Sequence, residues 1–96
     1  MWDGWQKNVD SDKHKSYELM IHTPVKGSRS SILLMASLVK EESHPTLWKC
    51  ELISFSPGAG DYTLFEETFP DLVPAEEAIW VKAQEAADHC RQLDRY

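Results

Sequence analysis

Absences narrow this chain first. It carries only two cysteines, Cys50 and Cys90. A small secreted domain is usually stapled by a denser disulfide framework. Two thiols set in apolar patterns instead predict reduced core residues and a cytoplasmic setting. Long hydrophobic runs are missing too. The longest apolar stretch, 32–39, has eight residues and is broken by Ser37, whereas a membrane-spanning helix needs about 20. The opening MWDGWQKNVD has no apolar segment and no small-residue cleavage site, which predicts no secretory leader.

Chemical signatures are equally sparse. Cys50, Cys90 and the four histidines, 14, 22, 44 and 89, form no C-x-x-C and no H-x-x-x-H pair. Neighbouring ligands that would pre-form a metal site are therefore absent, and no metal or cofactor is expected. Asp10-Ser11-Asp12 begins like a calcium loop, but Lys15 and Ile21 stand where Gly and Glu are required. Gly58-Ala59-Gly60 leads toward a strand, not a helix, and lacks the third glycine of a dinucleotide loop. No serine sits in a G-x-S-x-G elbow. Glu66 and Glu67 are adjacent on a strand, so they face opposite sides and cannot act as a pair. These absences point away from an enzyme.

What is present describes one folded domain. The 96 residues suffice for a single core. A hydrophobic share of 42% with 27% charged residues is ordinary for a globular chain and argues against disorder. Residues 1–15 are polar and aperiodic and read as an arm anchored by Trp2 and Trp5; residues 16–96 read as the domain. Tyr17, Leu19 and Ile21 alternate with Glu18 and His22, which predicts a strand over 17–23 ended by Pro24. Residues 31–40 are apolar on both faces and predict a central strand. Further strands are expected over 47–55 and 62–69. The intervening turn material is Lys26 to Ser30, Glu41 to Thr46 and Ser56 to Asp61. Short turns impose antiparallel pairing, because parallel pairs need long crossovers.

A helix is expected over 75–94. Pro74 suits its first position. Glu76 and Glu77 would fall in its first turn and Arg91 and Arg95 in its last, matching the helix dipole. Ala75, Ile79, Ala83, Ala86, Cys90 and Leu93 trace one face. The predicted fold is thus α+β: a four-stranded antiparallel meander with one C-terminal helix packed on one face.

Charge is distributed unevenly. Residues 1–40 hold six basic and four acidic side chains; residues 41–96 hold four basic and twelve acidic ones. The span 50–81 has seven carboxylates and no base. Such a surface aids solubility, and it also repels nucleic acid, whose binding requires Lys and Arg against phosphates. It suits the basic surface of a larger protein or nucleoprotein complex. The expected contact residues are Glu66, Glu67, Asp71, Glu76 and Glu77, with Trp80 as an apolar anchor and Trp2 and Trp5 on the arm as further candidates. For Trp80 the competing reading is a side chain packed over the sheet edge.

The run Phe69-Pro70-Asp71-Leu72-Val73-Pro74-Ala75-Glu76-Glu77-Ala78, followed by Ala83, Ala86 and Ala87, resembles the ending of small ββββα proteins from phages and bacterial mobile elements. Anti-CRISPR inhibitors are among the proteins similar to it in size and acidity. The resemblance implies a non-enzymatic protein-binding module, an inhibitor of a host defence complex in its specific form. It transfers no functional residue. The alternative function is a small structural or housekeeping domain that homodimerises through its sheet edges.

Overall fold

The computed structural model describes residues 2–25, 28–44, 46–56 and 60–92, with backbone alone at 23–25, 28–30 and 92. Five strands precede one helix: β1 (Gln6–Asp10), β2 (His14–Val25), β3 (Ser28–Lys40), β4 (Trp48–Ser56), β5 (Gly60–Phe69) and α1 (Leu72–Gln92). All strand pairs are antiparallel and the spatial order follows the chain, β1-β2-β3-β4-β5. The fold is α+β as expected, with five strands in place of four.

The additional strand comes from the segment read as an arm. All five residues of β1 are exposed, so no apolar alternation betrays it. It is held by backbone pairing to β2, with Lys7 opposite Tyr17 and Asp10 opposite Lys15. The β1–β2 turn is closed by Ser11, whose N–H donates to the His14 carbonyl at 2.9 Å and whose hydroxyl accepts from the His14 N–H at 3.1 Å. The calcium-like Asp10-Ser11-Asp12 is therefore hairpin turn material.

Other boundaries move as well: β2 starts at His14 instead of Tyr17, β3 takes in 28–30, expected as turn, and β5 starts at Gly60 instead of Tyr62. Pro24 does not end β2, which continues to Val25 with Pro24 opposite Arg29. Beyond Glu18 the strand has no β1 partner, so a proline there removes no ladder bond on that side. The helix begins at Leu72, not residue 75. Asp71 then occupies the N-cap position, a residue type well suited to it, and Pro74 lies in the first turn, where its missing N–H is not needed. Glu76 and Glu77 consequently fall beyond the first turn. Lys26, Gly27, Pro45, Pro57 to Ala59, Leu93 and Arg95 lie outside the described residues.

Cross-strand register explains the layers. Tyr17, Ala36, Leu52 and Phe65 are aligned across β2 to β5 and face α1. Leu34, Ala36, Leu38, Cys50 and Leu52 are essentially inaccessible, as are Ala75, Ile79, Ala83 and Ala87. Successive alanines let the helix approach the sheet closely. The stripe falls between Ala86, which is half-buried, and Ala87, which is buried. With 3.6 residues per turn, the two flank the contact line. Its N-terminal part packs with Trp48, Cys50 and Leu52, and its C-terminal part, at Ala87 and Cys90, with Ile21 and Leu34. The helix therefore crosses the sheet obliquely.

Candidate protein-binding surface

The eight residues selected from the sequence scatter over the fold. Trp2 is buried, with 8% of its surface accessible. Its ring stacks on Tyr17 at 4.1 Å and meets Trp5 and Trp80 edge-on at 5.3 and 4.9 Å. Trp5 and Trp80 are half-buried. These three indoles pack together between β2 and α1, and Trp80 meets Trp2 there. The turn Trp2-Asp3-Gly4-Trp5 makes this placement, with the Trp5 N–H donating to the Trp2 carbonyl at 3.1 Å. Gly4 sits at φ 86°, the left-handed value a type II turn asks of its third residue. Trp2 itself is at φ 67°, unusual for a bulky side chain, and its indole N–H has no acceptor among the described residues.

The carboxylates are also divided. Glu66 stands opposite Glu51 on the sheet face away from the helix, and Lys49 reaches both, at 3.2 and 4.0 Å. The Glu66 hydrogen bond and charge raise the Lys49 pKa. Glu67 points to the helix side opposite Cys50. Glu76 lies on the opposite flank of α1, close enough to Tyr17 for its charge to add to the burial that raises that phenol's pKa. Asp71 stands at the N-cap position, its backbone carbonyl accepting from the Ala75 N–H at 3.4 Å, and Glu77 is exposed. These five do not form the common rim expected from their sequence clustering, because strand alternation and helical rotation send neighbours to different sides.

Both cysteines are free and buried, in separate halves of the core. The Cys50 thiol donates to the Ala75 carbonyl at 3.3 Å. Burial, followed by the Glu67 charge, pushes its pKa up to about 12. It is a packing residue with no thiolate to offer at neutral pH.

The surface missed in the sequence is the sheet face that α1 leaves uncovered. Met20, Leu33, Met35, Val39, Ile53 and Phe55 lie on it by register. Met20 is 51% accessible and Met35, Val39 and Phe55 are about 40% accessible. Around them stand Glu18, Glu51, Asp61 and Glu66, with Lys49 the one Lys or Arg on this face among the side chains described. The signal was present in 31–40, apolar on both faces. A strand apolar on both faces asks for cover on both, but the described residues form only one helix.

Protein-family models, curated proteins and solved structures offer no match to this chain. The surface must be read from its own chemistry. Lys13, Lys40, Glu41 and Glu42 surround an open depression of about 330 Å³ at one end of the sheet, lined by both signs of charge. No group of three or more His, Cys, Asp or Glu is placed to hold a metal among the described residues. No described helix is long and apolar enough to cross a membrane.

Proposed function

We propose that this protein is a non-enzymatic docking module that seats its uncovered sheet face on a larger protein whose matching surface is apolar at the centre and basic at the rim. The observation that carries this reading is the composition of that face: exposed Met20, Met35 and Phe55 accompanied, among the described side chains, by four carboxylates and one lysine. Methionine and aromatic side chains are enriched in interface cores, and an acidic margin steers encounter with a basic partner. Size supports the reading as well. Five strands about 4.8 Å apart, with β2 and β3 reaching twelve and thirteen residues, present on the order of 800 Å², one side of a standard interface. In its specific form the partner is a host defence complex, with the acidic face occupying a basic nucleic-acid channel. The relevant contacts move from Trp80 and the helix start to β3, β4 and Glu66.

The test is comparative affinity purification. The tagged protein is compared with Met35→Asp, with Glu51→Lys/Glu66→Lys, and with Val81→Asp, whose parent side chain is exposed on the helix. A specific basic protein retained by the parent and Val81→Asp, but lost by the two sheet-face variants, supports the proposal. Retention by Met35→Asp together with loss by Val81→Asp overturns it, as does a second copy of this chain as the retained species.

A further inference from the structure

The two edges of the sheet are built differently. β1 is short, carries Lys7 and slips register between Lys7 and Val9, three devices that discourage further strand pairing. β5 has ten residues, GDYTLFEETF, with no lysine, arginine or proline. Its inner side pairs with β4, and no described strand pairs with its outer side. One irregularity interrupts it: Phe65 stands opposite Leu52 and Thr63 opposite Ile53, so Leu64 is a bulge. The ladder is regular from Phe65 to Phe69, which leaves a straight row of outward N–H and C=O groups there.

Charge selects what that edge accepts. Glu66 projects on the open face and Glu67 on the helix face, so an added strand about 4.8 Å away meets a carboxylate on either side. Pairing with a second β5 would join two strands that each carry Asp61, Glu66 and Glu67, and like charges across a ladder are destabilising. A segment bearing Lys or Arg gains where a second copy loses. We infer that the outer edge of β5 over Phe65–Phe69 accepts an extended, lysine- or arginine-bearing segment of a partner protein as a sixth strand. Backbone hydrogen bonds supply the affinity and the two glutamates set the charge preference. This edge shares Glu66 with the open face, but its backbone row is separate, and the N-methylated control tests that row alone.

The experiment uses the full chain and a synthetic peptide as long as β5, ten residues, alternating lysine with valine and threonine. Two control peptides carry N-methyl groups on alternate backbone nitrogens, or glutamate for lysine. Amide exchange followed by NMR should slow about tenfold or more at outward-facing amides of 65–69 with the lysine peptide, and neither control should do this. Glu66→Lys/Glu67→Lys should weaken the lysine peptide about tenfold or more and gain binding to the glutamate peptide. Val81→Asp, exposed on α1 away from both surfaces, should leave the affinity unchanged. Equal binding of the N-methylated peptide, or protection on β1 instead of β5, overturns the inference.

Discussion

Trp2→Ala tests the least expected part of this structure, the burial of a residue in a polar, aperiodic opening segment. A buried tryptophan removes roughly 150–250 Å² from water, worth about 4–6 kcal/mol at ~25 cal/mol/Å². Its contacts with Tyr17, Trp5 and Trp80 add about 0.5–1.5 kcal/mol per aromatic pair. Two terms act in the other direction. The indole N–H buried without an acceptor costs about 1–3 kcal/mol in the parent, and the alanine variant relieves it. Partial collapse of the site around Tyr17 and Trp80 recovers more. The expected net loss is therefore about 3 kcal/mol, read as a lowered urea midpoint at unchanged m-value. Trp2→Phe, which deletes the orphaned N–H but keeps a ring, should cost about 1 kcal/mol or less. Trp2→Gly should be no worse than Trp2→Ala, and better by up to about 1 kcal/mol, because glycine adopts φ near 67° freely. A loss within about 0.5 kcal/mol for Trp2→Ala, the usual result at an exposed position, would refute the placement of this segment in the core. A strong preference for alanine over glycine would refute the backbone conformation.

Two further perturbations probe the helix and the sheet beneath it. Ala83 is fully buried between α1 and the sheet, so Ala83→Trp should overpack the contact and lower stability by about 1–3 kcal/mol; thermal denaturation matching the parent would mean that another face of α1 meets the sheet. The Cys50 thiol has its pKa raised to about 12, against about 8.5 in an unfolded chain. Its contribution to stability is complete below the unfolded value and declines as pH rises from there toward 12, because the unfolded state releases the proton first. The urea midpoint of the parent should thus fall more steeply above pH 9 than that of Cys50→Ala, and native Cys50 should resist iodoacetamide at pH 8; rapid alkylation of the folded protein would contradict its burial.

Periodicity alone specified much of this architecture. Alternation at Tyr17, Leu19 and Ile21, the apolar run in 31–40 and the i, i+4 spacing of Ala75, Ile79 and Ala83 are local consequences of strand and helix geometry. They can be read without knowing what lies opposite. The short turns likewise imposed antiparallel order. Other features depend on partners distant in the chain. β1 has no apolar face of its own and exists because the backbone of β2 completes its ladder, with Asp10 held by Lys15 at 2.6 Å. Trp2 is a core residue only because the hairpin returns it to Tyr17 and Trp80. The acidic run 50–81 is continuous in sequence, yet the fold divides it, since consecutive strand residues face opposite ways and the helix turns 100° per residue. The apolar face of β3 and β4 is exposed for a tertiary reason as well: one helix can cover only one side of a sheet. Local sequence determined four strands, the helix and their buried stripes; the counting of layers determined which apolar stripe was left uncovered.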